Sequence, residues 1–430
     1  MKLAVAGTGY VGLVAGVCFA EVGHTVACVD VDGDKIATLQ SGVCPIYETD
    51  LEGLMQKNLQ AGRLSFTTDY AAAYRDAEAI FIGVGTPEQP DGSANLNYIA
   101  AVCRQIAESL VHDCLVVVKS TVPVGTNDKV EQFLNDNLPK DVHVLVASNP
   151  EFLAQGNAVR DTLHAARIII GTDDRKAEAL LTKVYAPFDL TIVSVSRRSA
   201  EMIKYACNDF LALKISYMND IANLCELVGA NVDDVAEGMR YDARIGAKFL
   251  NAGIGYGGSC FPKDTKALQF LAKQHGYELR TVSAAVDINA RQKTRLFEKA
   301  AKRFISFDGL KVAVLGLAFK PGTDDLREAP SLDNIELLQS HGALVTAYDP
   351  VAAENFHKRY PEVRLADTPE EALDGAGACF VFTEWDEIVR LSPETFLRHM
   401  RVPLVYDGRN IYDSETMKQS GVEYYSIGRP

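Results

Sequence analysis

The sequence lacks the patterns that mark several protein classes. It contains no Cys-x-x-Cys pair and no His-Glu-x-x-His sequence, so it offers no familiar zinc or dithiol site, and we expect no metal. No run of 18 uncharged apolar residues occurs, which argues against a membrane span. Lys and Arg number 43 against 57 Asp and Glu, and this net charge of −14 disfavours a nucleic-acid partner.

The cysteines are few and dispersed. There are nine of them in 430 residues, an odd number without a disulfide-like spacing, which indicates reduced thiols in a reducing compartment. A strand pattern already begins at residue 2, so we expect no signal peptide. Together with an apolar content of 47%, these features predict a soluble, cytoplasmic protein of two or three domains.

Short apolar runs alternate with helical patterns in the first part of the chain. The runs cover residues 2–6, 25–30, 79–84, 115–119 and 142–147, and each ends in, or is followed directly by, glycine or a polar residue. Such alternation is typical of a parallel, doubly wound sheet with right-handed crossovers. We therefore predict a first Rossmann-like domain over residues 1–198.

The sequence pattern changes after residue 198, from alternating strands and helices to long helical stretches. Residues 200–228 show helical spacing without Pro or Gly, and residues 288–304 form a second helical stretch. From residue 306 the strand and helix alternation returns, with strands at 311–315, 378–382 and 404–407 and a helix at 331–340. The fold class is thus α/β, with two doubly wound Rossmann-like domains, 1–198 and 306–430, joined by a long central helix in a helical domain, 199–305. The second sheet lacks a glycine fingerprint after Gly316, so it should bind something other than a dinucleotide.

The clearest cofactor motif is Gly7-x-Gly9-x-x-Gly12, between a strand and a helix. These glycines allow a tight turn and a close approach to a pyrophosphate at the helix N-terminus. Asp30 ends the next strand, where a carboxylate accepts hydrogen bonds from ribose hydroxyls and repels a 2′-phosphate. The motif therefore predicts NAD, although Lys35 offers a positive charge nearby.

A second motif surrounds Cys260. Four glycines within residues 253–258 allow the backbone to come close to a ligand, and Pro262 suits the first turn of a helix. Cys260 then lies at the helix N-terminus, where the dipole and Lys263 lower the pKa of a thiol. Asp264 follows one turn later on the same face. We interpret Cys260 as a nucleophile.

A third group lies on the long helix. Lys204 and Asn208 are spaced four residues apart, so both project from one face and could hold an oxyanion or a sugar hydroxyl. Loops at 119–126 and 148–156 follow strands, at the edge where open α/β sheets bind ligands. A nicotinamide site combined with a nucleophilic cysteine predicts a four-electron oxidation of a primary alcohol to a carboxylate, through a thiohemiacetal and a thioester, with two NAD.

These residues resemble the UDP-glucose 6-dehydrogenase family of nucleotide-sugar dehydrogenases over nearly the whole chain. The shared motifs are the glycine fingerprint at 7–12, Gly-Thr-Pro at 85–87, Ser-Thr-Val-Pro-Val-Gly at 120–125, Asn-Pro-Glu-Phe at 149–152, Glu-Met-Ile-Lys at 201–204, Gly-Gly-Ser-Cys-Phe-Pro-Lys-Asp at 257–264, Ala-Phe-Lys at 318–320, Arg-Glu at 327–328 and Asp-Gly-Arg at 407–409. The resemblance implies oxidation of UDP-glucose to UDP-glucuronate and a homodimer.

The resemblance also implies a role for each matching residue. Cys260 is the nucleophile, Lys204 and Asn208 stabilise oxyanions, Asp264 with Thr121 holds a water or moves a proton, and Glu151 is the base for thioester hydrolysis. The implied cofactor contacts are Gly7, Gly9, Tyr10, Val11, Gly12, Asp30, Lys35, Thr86, Thr121, Lys263 and Arg327. The implied substrate contacts are Glu151, Phe152, Leu153, Lys204, Asn208, Phe249, Leu250, Asn251, Gly257, Cys260, Lys320 and Arg409, with Arg244 reaching the substrate of the partner subunit.

One departure from the family pattern concerns Gln155, which stands where the family often has an acid. More of the proton transfer then falls to Glu151 and Asp264. Three alternatives stay open on the sequence: the same chemistry on GDP-mannose or a UDP-N-acetylhexosamine, a two-electron hydroxy-acid dehydrogenase, and a binding protein without turnover.

Overall fold

The computed structural model describes all 430 residues, which form two compact units, residues 1–207 and 208–430. The long helix α9, Arg197–Val228, contains the boundary between them. None of the helices combines the length and the apolar character needed to cross a bilayer. The predicted division into three domains stays a prediction.

The first unit is built on an eight-stranded sheet. Its strands are β1 (Lys2–Ala6), β2 (Thr25–Val29), β3 (Leu64–Thr67), β4 (Ala79–Ile82), β5 (Cys114–Val118), β6 (Val144–Ser148), β7 (Ile168–Gly171) and β8 (Ile192–Val195), in the order β3-β2-β1-β4-β5-β6-β7-β8. Its helices are α1 (Tyr10–Glu21), α2 (Gly33–Gln40), α3 (Leu51–Gln60), α4 (Tyr70–Arg75), α5 (Asn97–Ser109), α6 (Thr126–Asn137), α7 (Ala158–Leu163) and α8 (Arg175–Tyr185), with a 3-10 turn at Ala186–Phe188.

This sheet is parallel except at one joint. Strands β6 and β7 run antiparallel and pair through Ser148 and Gly171, a reversal that the sequence pattern did not predict. The central strands are apolar on both faces because helices cover both: Leu3 and Val5 enter one core, and Ala4 and Ala6 enter the other. The predicted doubly wound fold is confirmed.

The second unit begins with helices and ends with a six-stranded parallel sheet. The helices are α10 (Val232–Arg240), α11 (Phe261–Gln274), α12 (Arg280–Gln292), α13 (Arg295–Arg303), α14 (Pro330–Ser340), α15 (Ala353–Arg359), α16 (Pro369–Leu373), α17 (Asp386–Val389), α18 (Pro393–His399) and α19 (Ser414–Gln419). The strands are β9 (Lys311–Leu315), β10 (Leu344–Tyr348), β11 (Arg364–Leu365), β12 (Ala378–Val381), β13 (Leu404–Asp407) and β14 (Glu423–Tyr425), in the order β11-β10-β9-β12-β13-β14.

The predicted helix over residues 288–304 is wrong in one respect, because the structure divides it into α12 and α13. The hydroxyl of Thr294 donates to the carbonyl oxygen of Arg291 at 3.2 Å. Such local bonds from threonine compete with the helical ladder and favour a break. The second Rossmann-like sheet itself is confirmed, with β9 at its centre as β1 is in the first unit.

Candidate active site

The glycine fingerprint forms the turn between β1 and α1. Gly7 has a φ of +96°, and a Cβ atom at Gly12 would lie 2.0 Å from the carbonyl oxygen of Gly7, so both positions require glycine. A Cβ atom at Gly9 would meet nothing within 4 Å. Gly9 is the N-cap of α1 and caps it without a side chain, so Tyr10 and Val11 begin a helix whose backbone N–H groups suit a pyrophosphate.

Asp30 lies beside this turn and is held as a carboxylate. Its Oδ2 accepts hydrogen bonds from the backbone N and the Oγ1 of Thr8, at 2.9 and 2.6 Å, and from the Nζ of Lys35 at 3.2 Å. Burial alone would raise the pKa of Asp30, but the bonds from Thr8 and the charge of Lys35 lower it below its usual value. An ionised acceptor at this place fits the ribose of NAD. Thr8 has no motif of its own, and the sequence reasoning missed it.

The loops after β4 and β5 are joined at the predicted cofactor residues. The Oγ1 of the buried Thr86 donates to the carbonyl oxygen of Thr121 at 2.8 Å. Because both loops leave the carboxyl edge of the sheet, this bond fixes them where an open α/β sheet receives its ligand.

Glu151 and Lys204 form a buried ion pair. Their charged atoms are 2.8 Å apart, and their side chains are only 7% and 3% exposed. Burial favours the neutral acid, but the ammonium of Lys204 and the backbone N–H of Leu153 outweigh it, so the pKa of Glu151 lies below its usual value. The Nζ of Lys204 also lies 5.5 Å from the centroid of the Phe152 ring. Glu151 is therefore an ionised carboxylate that is available as a proton acceptor.

A second buried lysine supports the Glu151 loop. The Nζ of Lys119 donates to the Oδ1 of Asn149 at 3.1 Å and lies 3.4 Å from the hydroxyl of Tyr185, which donates to the same Oδ1. Burial lowers the pKa of Lys119 to about 8, and the charge of Glu151 opposes that shift. Lys119 is in one of the loops singled out from the sequence, but its role depends on partners that are far away along the chain.

Cys260 lies at the N-terminus of α11, as predicted, and Pro262 is in the first turn. Its thiol is partly exposed, whereas burial raises the pKa of Cys18, Cys28 and Cys114 to about 12. Of these four thiols, Cys260 is the one that is both partly exposed and at the start of a helix, as a nucleophile requires.

The cation Arg327 also lies close to Cys260. Two hydrogen bonds of 2.8 and 2.6 Å to the carboxylate of Asp325 raise the pKa of Arg327 above its usual value. Burial opposes this shift, and the charge of Cys260 adds a smaller contribution that raises the pKa. The backbone N of Gly258 donates to the carbonyl oxygen of Arg327 at 2.7 Å, which joins the two loops.

Asp264 is fixed at the first turn of α11. Its backbone N donates to the carbonyl oxygen of Cys260 at 2.8 Å, so the two residues are one turn apart, as predicted. The whole residue is 1% exposed, and its carboxylate accepts hydrogen bonds from the Nδ2 of Asn208 at 2.7 Å and the Nζ of Lys263 at 2.6 Å. Lys204 and Asn208, predicted to act side by side, thus each contact an acid, Glu151 and Asp264 respectively.

The glycine-rich loop packs on the protein more tightly than the sequence suggested. A Cβ atom at Gly257 would lie 2.3 Å from the carbonyl oxygen of Glu328, and one at Gly253 would lie 2.9 Å from that of Gly408. Neighbouring backbone therefore requires glycine at both positions, and the expectation that this loop also comes close to a ligand stays a prediction. Phe249 has a φ of +64° at the start of this loop and is partly exposed, whereas Leu250 is buried.

The remaining predicted substrate residues differ in their surroundings. Arg409 donates to the carbonyl oxygens of Phe382 and Phe319, both at 2.7 Å, so it joins the loops after β12 and β9. The Oδ1 of Asn251 accepts a bond of 2.6 Å from Arg240, and Lys320 lies over the Phe319 ring at 5.7 Å. The side chain of Arg244 is 90% exposed and is bound to Asp242.

Comparisons with known proteins agree with this arrangement. Models of the UDP-glucose/GDP-mannose dehydrogenase family match three segments: the NAD binding domain at residues 1–189, the central domain at 198–291 and the UDP binding domain at 313–414. A UDP-glucose 6-dehydrogenase of Bacillus subtilis is 46% identical, with 100% of this chain and 98% of the relative aligned. One of Pseudomonas aeruginosa is 47% identical with the same coverage.

The solved structures include a close match in three dimensions. A UDP-glucose dehydrogenase from the archaeon Pyrobaculum islandicum has a TM-score of 0.94 at 36% identity, covering 100% of this chain and 98% of that one. The similarity thus extends over both units.

Proposed function

Because the chain belongs to the UDP-glucose/GDP-mannose dehydrogenase family, we propose that it oxidises the C6 alcohol of UDP-glucose to UDP-glucuronate. It is an NAD-dependent oxidoreductase that acts on a CH–OH group. The observation that carries the four-electron chemistry is Cys260 at the start of α11, one turn from the bound carboxylate of Asp264. A two-electron dehydrogenase has no use for a nucleophile at that place.

The proposed reaction divides the chemistry among this chain's own side chains. NAD, held by the Gly7–Gly12 turn and Asp30, supplies the acceptor for one hydride at each of the two oxidations. The Cys260 thiolate adds to the C6 aldehyde carbon and forms a thiohemiacetal. Loss of a second hydride from this thiohemiacetal leaves a thioester. Lys204 and Asn208 stabilise the oxygen at C6 during these steps. Water then breaks the C–S bond and releases the carboxylate and the thiolate.

Two carboxylates take the protons that the reaction releases. The alcohol loses one proton when it becomes the aldehyde, the addition of the thiolate and the second hydride loss release no further net proton, and the hydrolysis to carboxylate and thiolate releases two. Glu151, ionised beside Lys204, is the proposed base for the hydrolysis. Asp264, with Thr121, is proposed to hold the water or to move a proton.

The UDP-sugar is assigned to the residues that match the family's substrate positions. They are Glu151, Phe152, Leu153, Lys204, Asn208, Phe249, Leu250, Asn251, Gly257, Cys260, Lys320 and Arg409. Lys35, Thr86, Lys263 and Arg327 are assigned to NAD on the same ground. The named relatives favour UDP-glucose over GDP-mannose or a UDP-N-acetylhexosamine.

The reaction can be tested by counting reduced cofactor. We expect two NADH for each UDP-glucose consumed, and a lower rate with GDP-mannose and UDP-N-acetylhexosamines at equal concentration. Cys260→Ala should abolish the second oxidation, whereas Cys44→Ala, at another partly buried thiol, should leave the yield at two. One NADH per sugar in the unmodified enzyme would refute the four-electron reaction, and two NADH in Cys260→Ala would refute the nucleophile.

The family resemblance and one helix face support a homodimer. Phe210, Tyr217 and Leu224 recur every seven residues on α9 and are 61%, 52% and 53% exposed, an apolar row that a monomer would leave in water. We expect Tyr217→Asp to convert a dimer to a monomer in analytical ultracentrifugation, and Tyr277→Asp, at an exposed tyrosine elsewhere, to leave it unchanged. A monomeric wild type would refute the assignment.

The nine free thiols also support a reducing compartment, for which we propose the cytoplasm.

A further inference from the structure

One buried acid beside the Cys260 helix has no part in the chemistry proposed above. Asp209 follows Asn208 on α9 and is 3% exposed. Neither of its carboxyl oxygens has a hydrogen-bond partner. A buried carboxylate without donors or a cation is among the most costly groups that a protein can contain, so its presence requires an explanation.

The surroundings of Asp209 contain a second acid. The charge that acts on it is that of Asp264, the same carboxylate that Asn208 and Lys263 bind. Tyr256, in the glycine-rich loop, also faces it, and burial with a contribution from Asp209 raises the pKa of this phenol to about 12. Two acids therefore share a buried region in which Lys263 is bonded to one of them.

Hydrogen bonding distinguishes the two acids. Asp264 accepts bonds from two donors, whereas Asp209 accepts none. Burial first, and then the charge of Asp264, raises the pKa of Asp209 to about 8. At neutral pH Asp209 then carries a proton, as expected for a buried carboxyl that lies beside another acid.

We propose that Asp209 is a positioning residue for the oxidation, whose protonated carboxyl lets Asp264 keep its hydrogen bonds to Asn208 and Lys263 beside Cys260. When Asp209 ionises, repulsion between the two carboxylates weakens the hydrogen bonds that Asp264 accepts from Asn208 and Lys263. The loss of this arrangement reduces turnover at alkaline pH. The inference rests on the proposed role of Asp264.

The test compares pH profiles of kcat at saturating UDP-glucose and NAD for the wild type, Asp209→Asn and Asp287→Asn. Asp209→Asn keeps the shape of the side chain but cannot ionise, and Asp287 is an exposed aspartate of α12. If ionisation near pH 8 stops turnover, about a tenth of the wild-type enzyme remains active at pH 9. We therefore expect the kcat ratio between pH 9 and pH 7 to be up to tenfold higher in Asp209→Asn, and unchanged in Asp287→Asn.

The outcomes separate this proposal from the function on which it rests. If Asp209→Asn follows the wild-type profile while Asp264→Asn is inactive, Asp209 has only a structural role and the proposal is overturned. If Asp264→Asn keeps full activity, the role of Asp264 is wrong, and the Asp209 proposal fails with it. An infrared difference spectrum, wild type minus Asp209→Asn, should show a protonated carboxyl band at pH 7 that disappears at pH 10, and absence of this band at pH 7 would also overturn the proposal.

Discussion

The buried pair of Glu151 and Lys204 makes a sharp prediction about stability. Glu151→Gln removes the charge but keeps an acceptor oxygen for the N–H of Leu153, so the change isolates the ion pair. It removes the carboxylate that lies 2.8 Å from the ammonium of Lys204, whose side chain is 3% exposed. Removing one partner of a buried pair typically costs about 3–5 kcal/mol. For a unit of about 200 residues, that corresponds to a loss of roughly 6–20 °C in Tm.

Scanning calorimetry of the full chain, without ligands, measures the change. Glu278→Gln is the matched control, because its partner Arg280 is 3.0 Å away but both side chains are largely exposed. Surface pairs contribute about 0–1 kcal/mol, so the control should shift Tm by less than about 4 °C.

A double-mutant cycle completes this test. Lys204→Met added to Glu151→Gln removes both charges and should recover part of the loss. Additive effects in the cycle, or a Tm for Glu151→Gln as close to the wild type as that of the control, would refute the reasoning. Since the pKa of Glu151 lies below its usual 4.5, the contribution of the pair is present above that pH and is lost as the pH falls.

Three further predictions concern single positions. Gly257→Ala places a Cβ atom 2.3 Å from the carbonyl oxygen of Glu328, so we expect the Kd for UDP, measured by calorimetry, to rise more than tenfold. Gly53→Ala is the control, because Gly53 has open space around it, and it should leave the Kd unchanged. Asp30→Ser removes the ribose acceptor and should lower kcat/KM for NAD at least tenfold relative to NADP; an unchanged ratio would contradict the role of Asp30. Asp209→Asn should have a higher Tm than the wild type, by a difference that grows from pH 5 to pH 9. The pKa of Asp209 is higher in the folded than in the unfolded protein, so the stability of the wild type falls as the pH rises through this window. A difference in Tm that stays constant with pH would contradict this.

The features that sequence reasoning predicted are those determined by neighbouring residues. The turn from β1 to α1 follows from three glycines between an apolar strand and a helix, and Cys260 lies at a helix start because Pro262 suits a first turn. The Asp30 carboxylate could be placed for the same reason, since it ends the next strand.

The features that the sequence did not reveal depend on distant partners. Glu151 and Lys204 are 53 positions apart, and only the packed fold decides that they form a pair. The neighbour that makes Gly257 necessary is a carbonyl oxygen at residue 328. Asp209 is an intermediate case: the helical spacing puts it on the same face as the buried Ala212 and Ser216, and an acid on that face is a signal that could have been used.

The packing of the glycine-rich loop also has a consequence for synthesis on the ribosome. The backbone N of Ile254 donates to the carbonyl oxygen of Gly408 at 2.7 Å, and Arg409 bonds to two further loops. At about 5–20 residues per second, the chain reaches residue 408 roughly 8–30 s after residue 254. The first unit, with its cofactor turn, is complete well before then. A nascent chain can thus fold its dinucleotide site early, while the segment that carries Cys260 acquires its supports only when synthesis is nearly finished.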